Sequence, residues 1–275
     1  MREEATAFVP GHITGFFSAH PDKDPTRAGS RGAGLTLTDG VEVTVTSASK
    51  SQIILDGEPI TIDPVTTVLE HLDASARVEA RSDIPLGSGF GVSGAMALGT
   101  ALAANQVFDR KRSRNELVTL AHTTEVRAGT GLGDVVAQAQ GGIPIRLEPG
   151  APGSNELDGI PARARVEYVS FGQLSTADVL SGETETLSVA GEKALEHVID
   201  EPTLETFMDA SIGFAREAEL LTPAVLETIE AVAERGGRAS MAMLGETVFA
   251  LGTGLSDAGY EPDACHTHPA GATLK

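Results

Sequence analysis

The stretch PLGSGFGVSGA, residues 85–95, contains four glycines within eight consecutive positions. Glycine at this density weakens any helix or strand that contains it, so packing does not explain it. A main chain without Cβ atoms is needed where a charged ligand group comes close to backbone N–H groups. The stretch therefore indicates a binding loop for an anionic ligand.

The loop is flanked by a strand pattern and a helix pattern. The preceding residues SARVEARSDI (75–84) alternate between apolar and polar side chains, which predicts a strand. The run SGAMALGTALAANQVF predicts a helix that begins near Val92 or Ser93 and places Ala95, Leu98 and Leu102 on one face. Loop N–H groups and the helix N-terminus would then hold a polyphosphate, with Ser88 and Ser93 adding hydroxyl donors.

Two other interpretations of the loop are considered. Gly89-x-Gly91-x-x-Gly94 matches a dinucleotide-binding fingerprint, but the segment after the helix begins another helix and not a parallel strand. A packing or linker role is disfavoured, because the loop joins a strand to a strongly apolar helix. No GKS or GKT follows the glycines, so the loop is not a P-loop.

The first half of the chain reads as strands followed by helices. Residues 5–17 predict a strand broken at Pro10-Gly11, followed by a polar loop over 18–34. Alternation over 34–62 predicts antiparallel strands with turns at Asp39-Gly40 and Asp56-Gly57. Ser113 and Glu116 are spaced as a capping box for a further helix.

The second half begins after a turn-rich segment over 149–162, which predicts two domains, 1–155 and 156–275. RVEYVSF (165–171) predicts a strand, and helices are expected between about 175 and 235, followed by strand material at 238–252. Strands and helices that mix without regular βαβ alternation indicate the α+β class.

The composition excludes several kinds of partner. The chain has 39 acidic and 20 basic residues, a net charge of −19, which disfavours binding to nucleic acid or to an anionic membrane. Cys265 is the one cysteine, so an intrachain disulfide is excluded. The charge favours a halophile's cytoplasm, where salt screens repulsion, over an ordinary acidic protein. No apolar run is long enough for a membrane helix, and the N-terminus lacks a secretory pattern, so a cytoplasmic location is expected.

Three segments carry a resemblance to the GHMP kinases. Residues 85–95 resemble the PxxxGLGSSAA signature of that family, with Phe90, Val92 and Gly94 as departures. VPGHITGFF (9–17) resembles the family's PGKxNLxGE segment, and EVRAGTGLGDVVAQAQGG (125–142) resembles its glutamate, glycine-rich turn and aspartate. The resemblance implies a two-lobed α+β fold with an N-terminal lobe like domain 2 of ribosomal protein S5 and a ferredoxin-like C-terminal lobe.

The resemblance also implies an activity, the transfer of a phosphoryl group from ATP with Mg²⁺ as cofactor. Three segments, at residues 89–105, 129–146 and 239–251, are most similar in sequence to archaeal members that phosphorylate pantoate on the route to coenzyme A. Mevalonate, homoserine or shikimate are alternative acceptors within the family. A nucleotide-binding regulatory protein without turnover is the alternative from another class. The oligomeric state is left open, with a homodimer among the options.

The resemblance assigns roles to residues of this chain. Ser93 and Glu125 are predicted to hold Mg²⁺, although Glu125 also reads as an exposed helix carboxylate paired with Arg127. Asp134 is predicted as the catalytic base, although an aspartate at the start of a helix also reads as an ordinary N-cap. The residues predicted to contact the phosphates of ATP are Gly87, Ser88, Gly89, Phe90, Gly91, Val92, Ser93 and Gly94.

The remaining predictions concern the acceptor substrate. His12 stands where many family members carry lysine, and it is predicted to assist the acceptor hydroxyl or to contact substrate. A substrate carboxylate favours an arginine fork, for which Arg31 and Arg127 are the candidates, with His20 as a further one.

Two features near the C-terminus depart from simple expectations. The family's third glycine-rich run is reduced here to Gly245. The tail also carries Cys265, His266 and His268. Three ligands so crowded on an extended segment fit zinc poorly, so an edge strand or disorder is expected there.

Overall fold

A computed structural model describes residues 2–172 and 185–275 of the chain. The strands are β1 (Glu4–His20), β2 (Gly29–Ser47), β3 (Gln52–Leu55), β4 (Glu58–Pro59), β5 (Ala76–Ser82), β6 (Pro144–Glu148), β7 (Glu156–Gly159), β8 (Arg165–Gly172), β9 (Ala239–Met241), β10 (Glu246–Leu251), β11 (Asp263–His266) and β12 (Thr273–Leu274). The helices are α1 (Asp63–His71), α2 (Val92–Val107), α3 (Arg114–Ala128), α4 (Asp134–Gln140), α5 (Glu185–Asp200), α6 (Leu204–Glu217), α7 (Pro223–Glu234) and α8 (Gly254–Asp257). The part of the helical prediction that falls on residues 175–184 lies outside the described residues.

The strands form two sheets. In the first, the order is β12-β1-β2-β5-β3-β4, and β6 pairs with β2 and with β7. In the second, the order is β11-β8-β10-β9, and all its neighbours are antiparallel. The α+β class is confirmed, and the dinucleotide-binding interpretation is excluded because α2 leads into α3 and not into a strand parallel to β5.

Strand β1 is longer than the sequence pattern predicts. It does not stop at Pro10-Gly11 but runs to His20, and its pairing with β2 shifts register between Pro10 and His12 and again between Thr14 and Phe16. Proline has no N–H for the ladder, and a bulge is one of the places where a strand tolerates it. The predicted loop over 18–34 is therefore wrong for most of its length, because β1 and β2 extend into it from both sides.

The two aspartate–glycine pairs behave differently. Asp56 and Gly57 both have positive φ and form the two-residue turn between β3 and β4, as predicted. Asp39 and Gly40 do not form a turn, because β2 continues through them and Gly40 pairs with Pro10 beside the register shift.

Helix α2 is buried on every side and not only along the predicted face. It lies against β1, β2 and β5, and α1, α3 and α4 cover its other sides. Its small residues permit this close packing: a Cβ added to Gly99 would lie 2.6 Å from Cγ2 of Val43. A helix that is apolar all round belongs in such an interior position.

Other local predictions are confirmed. Ser113 and Glu116 form the reciprocal capping box of α3. Strand β8 covers the predicted segment 165–171, and β9 and β10 lie within 238–252. The tail segment 263–266 is β11, at the edge of the second sheet.

The division of the chain at residues 155 and 156 stays a prediction, and two later strands belong to the first sheet. Strand β7 pairs with β6, and β12 returns to pair with Ala7 and Phe8 of β1. The tail before β12 also contacts α4, because the Ala272 N–H donates to the carbonyl of Gln138 over 2.9 Å. Among the helices of the described ranges, none has the length and apolar character needed to cross a membrane.

Candidate active site

The glycine loop occupies the turn between β5 and α2. Gly87, Gly89 and Gly91 have φ values of 79°, 85° and 65°, a backbone conformation that residues with a Cβ rarely adopt. Gly91 is the N-cap of α2, and no side chain of the described residues caps this helix end. The first N–H groups of α2 are therefore available to an anionic ligand.

The loop lines a cleft of ≈ 280 Å³ together with residues from both halves of the chain. Seven of the eight predicted phosphate contacts line it: Gly87, Gly89, Phe90, Gly91, Val92, Ser93 and Gly94. Ser88 does not. Ser88 is buried instead. A Cβ added to Gly245 would lie 2.4 Å from the carbonyl carbon of Ser88, so Gly245, the one glycine left in the third motif, lies where its loop crosses the glycine loop.

Ser93 and Glu125 meet at one end of the cleft. The Ser93 hydroxyl donates to Oε1 of Glu125 over 2.6 Å, and Glu125 is buried. Burial raises the pKa of Glu125 to about 7, and the charge of Asp134 adds to this. The alternative pairing with Arg127 is not observed, because Arg127 is exposed near the end of α3.

This end of the cleft suits a hard divalent cation. A Cβ added to Gly131 would lie 2.8 Å from Oε2 of Glu125 and 3.5 Å from Oδ2 of Asp134, so two carboxylates flank one glycine. The Glu125 carboxyl and the Ser93 hydroxyl offer oxygen donors only, as Mg²⁺ prefers, beside the carboxylate of Asp134. Within residues 2–172 and 185–275, no group of three or more His, Cys, Asp or Glu side chains could enclose a metal by itself. The donor set therefore fits an ion that also takes phosphate oxygens and water.

Asp134 is the first residue of α4, but it does not cap that helix. The N-cap is Gly133, and the structure shows no side-chain capping bond there. Oδ1 of Asp134 instead lies 2.7 Å from Nδ1 of His12 on β1. The simple N-cap interpretation of Asp134 is thus excluded, and Oδ2 remains for another partner.

His12 is fully buried at the register shift of β1. Burial lowers its pKa, and this outweighs the opposite effect of Asp134, so we assign a neutral ring. Because a carboxylate only accepts hydrogen bonds, the proton of the neutral ring is on Nδ1 and Nε2 is unprotonated. Among the described residues Nε2 has no partner, and a Cβ added to Gly34 would lie 2.3 Å from it.

Arg146, on β6, is the residue that sequence reasoning missed. It is buried and lines the cleft, yet none of its three guanidinium nitrogens has a partner among the described residues. Burial lowers its pKa to about 10, although the charge of Asp134 acts in the opposite direction. An unpaired buried guanidinium is costly, which indicates a place for an anion. The available signal was a charged residue between two apolar ones, Ile145 and Leu147, in the segment IPIRLE.

The three predicted substrate residues lie elsewhere. Arg31 donates to Oε2 of Glu192 over 2.5 Å and to the carbonyl of Leu147 over 2.7 Å. His20 also contacts Glu192, at 3.0 Å. Neither these two nor the exposed Arg127 lines the cleft, and Glu192 of α5 contacts both Arg31 and His20. The cleft is thus lined by an anion-binding loop, the buried carboxyl of Glu125, Asp134 and the Arg146 guanidinium, which has no partner among the described residues. His12, which was predicted to contact the substrate, is fully buried behind Asp134 and does not line the cleft.

Comparison with known proteins gives consistent matches. The family described as GHMP kinases N terminal domain matches residues 63–142. A pantoate kinase of Thermococcus kodakarensis is 37% identical over 262 residues, covering 89% of this chain and 86% of the relative. A pantoate kinase of Methanocaldococcus jannaschii is 34% identical over 251 residues, covering 89% and 91%. A solved structure described as a phosphotransferase related to the CoA biosynthesis pathway has a TM-score of 0.88 at 32% identity, covering 99% of this chain and 98% of its own.

Proposed function

The chain belongs to the GHMP kinases, and within them to the pantoate kinases; on this premise we propose that it transfers the γ-phosphoryl group of ATP to the C4 hydroxyl of pantoate, giving 4-phosphopantoate for archaeal coenzyme A biosynthesis. One observation carries the choice of acceptor. The guanidinium of Arg146, which has no partner within residues 2–172 and 185–275, lines the same cleft as Asp134 and the glycine loop.

The glycine loop holds the phosphates of ATP. Three positive-φ glycines and the uncapped start of α2 support this assignment. Ser93 and Glu125 are the residues that would hold Mg²⁺, and the bound ion would supply neutralisation of phosphate charge. Glu125 must be ionised for this role. With a pKa of about 7, about half of the Glu125 carboxyl groups in the ligand-free protein are ionised at neutral pH.

Asp134 takes the proton of the acceptor hydroxyl. His12 holds Oδ1 through a bond of 2.7 Å, which leaves Oδ2 to accept the C4 hydroxyl. The bond between the C4 oxygen and γ-phosphorus forms as the bond from γ-phosphorus to the bridging oxygen of ADP breaks. The hydroxyl proton passes to Asp134, so the step is balanced without a further reactant.

Arg146 and the apolar wall of the cleft select the substrate. A guanidinium fork suits a carboxylate in a bidentate pair, and the carboxylate of pantoate would neutralise the buried charge. Apolar side chains line the same cavity, among them Phe17, Leu132, Met243 and Leu244. They suit the two methyl groups on C3 of pantoate.

Homoserine fits the cleft less well. It carries an ammonium group next to its carboxylate, so a site for it needs an anionic partner near the guanidinium. In the described part of the chain, the acidic residues that line the cleft are Glu125 and Asp134, to which the reaction assigns other roles. The cleft therefore favours an acceptor with a carboxylate and an apolar body.

We also propose that the protein works in a salt-rich cytoplasm. Its net charge of −19 produces self-repulsion that salt screens, with a Debye length of about 3 Å at 1 M.

The decisive assay measures product formation with ATP and MgCl₂ in molar KCl. Pantoate, mevalonate, homoserine and shikimate are supplied separately, and phosphorylated products are identified by mass. The Asp134→Asn variant is assayed beside the parent protein. Loss of the base should lower kcat by about 10²–10⁴-fold while the variant stays folded.

Turnover of pantoate alone supports the proposal. Turnover of another acceptor keeps the kinase and removes pantoate. ATP binding without any phosphoryl transfer favours the nucleotide-binding regulatory protein instead. The His12–Asp134 pair and the buried Glu125 argue against that interpretation, because a nucleotide sensor needs neither of them.

A further inference from the structure

The glycine loop is held by hydrogen bonds to two consecutive carbonyl groups. The backbone N–H of His12 donates to the carbonyl of Phe90 over 3.0 Å. The side-chain Nε2 of Gln138 donates to the carbonyl of Gly91 over 2.9 Å. The donors belong to β1 and α4, the two elements that the His12–Asp134 contact of 2.7 Å also joins. Loop, base and histidine thus form a closed triangle of contacts.

Gln138 is placed to transmit position from α4 to the loop. It lies four residues after Asp134, so the two side chains share one face of the helix. The carbonyl of Gly91 also accepts the first intrahelical bond of α2, from the N–H of Ala95 at 2.9 Å. A Cβ added to Gly91 would lie 3.0 Å from Nε2 of Gln138 and 3.1 Å from Cγ of Asp134. The absence of that Cβ is what lets α4 approach the loop.

The amide of Gln138 is a poor choice for stability alone. The residue is fully buried, and its Oε1 has no hydrogen-bond partner among the described residues. A buried amide whose carbonyl oxygen is unsatisfied costs free energy that an apolar side chain of equal size would avoid. A contact retained at such a cost points to a positional requirement.

We propose that Gln138 is a positioning residue for phosphoryl transfer. By fixing Gly91 against α4, it sets the distance from the phosphate loop to Asp134, and with it the alignment of the γ-phosphoryl group with the acceptor hydroxyl. This inference rests on the proposed function for its kinetic consequence. A displacement of about 1 Å between reacting groups costs roughly 100-fold in rate.

The test compares Gln138→Met with Gln140→Met. Methionine keeps the length of the side chain and removes the donor, and Gln140 is an exposed glutamine on the same helix. Gln138→Met should lower kcat about 10- to 100-fold, while KM for pantoate changes less than about threefold because Arg146 is untouched. Gln140→Met should match the parent in both constants.

A second variant and a second readout separate positioning from folding. Gln138→Asn keeps the amide but is one methylene too short to reach Gly91, and it is used if the methionine variant does not fold. Amide hydrogen exchange of residues 87–94 is measured without nucleotide. Both Gln138 variants should exchange faster in this loop, and Gln140→Met should not.

The outcomes are distinguishable. A folded Gln138→Met variant with kcat within about twofold of the parent overturns the inference and leaves the kinase assignment intact. A parent protein that does not phosphorylate pantoate refutes the proposed function, and the exchange rates still decide whether Gln138 anchors the loop. Unchanged exchange in the loop overturns the anchoring whatever the substrate.

Discussion

Replacing Arg146 by methionine should weaken pantoate binding and, at the same time, stabilise the ligand-free protein. The guanidinium is buried with all three nitrogens unpaired in the described part of the chain, so it contributes a cost until a carboxylate arrives. Methionine occupies a similar volume without the charge. The two effects have opposite signs because the Arg146 guanidinium stabilises the pantoate complex and destabilises the ligand-free protein.

The magnitude follows from the bonds at stake. A bidentate carboxylate pair supplies two charge-assisted hydrogen bonds, each of about 1.5–3 kcal/mol. Their loss amounts to at least about 3 kcal/mol, which at 1.4 kcal/mol per factor of ten raises KM for pantoate roughly 100-fold or more. Substitution of buried ionic groups by apolar ones is neutral or stabilising by about 1–4 kcal/mol, and each kcal/mol raises Tm by about 2–4 °C in a chain of this size.

The assay is steady-state kinetics with varied pantoate at saturating ATP, together with thermal unfolding of the ligand-free proteins. Arg31→Met is the matched control, since Arg31 is an arginine already paired with Glu192. Its KM for pantoate should stay near that of the parent, and its Tm should fall. A parent-like KM for Arg146→Met refutes the assignment, and a larger KM effect from Arg31→Met would return the carboxylate contact to Arg31.

Three further predictions concern other parts of the site and the surface. The pKa of Glu125 is raised from 4.5 to about 7, so the ligand-free protein should lose stability as pH rises from about 5 to about 8, and Glu125→Gln should flatten that dependence in thermal unfolding at a series of pH values. Gly34→Ala should lower kcat about tenfold or more without changing any group at the reacting atoms, because its Cβ would lie 2.3 Å from Nε2 of His12 and displace the ring from Asp134; an unchanged kcat in a folded variant contradicts that link. Raising KCl from 0.1 M to about 2 M should raise Tm through screening of the net charge of −19, and a flat Tm would count against the halophilic interpretation.

Much of the site could be predicted because its signals are local. A dense run of glycines has few structural explanations, and the loop 87–94 needed only its flanking strand and helix to be placed. Asp134 and Glu125 follow from motifs with fixed spacing along the chain. The pairing of His12 with Asp134 could not be predicted, since the two residues are 122 positions apart and meet through the packing of β1 on α4.

The missed features depend on tertiary context. Arg31, Arg127 and Arg146 are equivalent as sequence letters, and only burial distinguishes the unpaired one from a partner of Glu192 and from an exposed side chain. That β1 runs unbroken through Pro10 and Gly11 was equally hidden, because a bulge requires knowledge of the opposing strand.

The return of β12 to β1 has a consequence for the order in which the molecule is made. Leu274 and Thr273, the partners of Ala7 and Phe8, are synthesised more than two hundred residues after them. The N–H of Ala272 that contacts the carbonyl of Gln138 arrives equally late. Synthesis of the whole tail must therefore be finished before α4 has all its neighbours, and a nascent chain that already contains the glycine loop, Asp134 and Arg146 is still without its complete support. We expect a ribosome-tethered chain lacking residues 266–275 to bind and turn over substrate poorly until those residues are added.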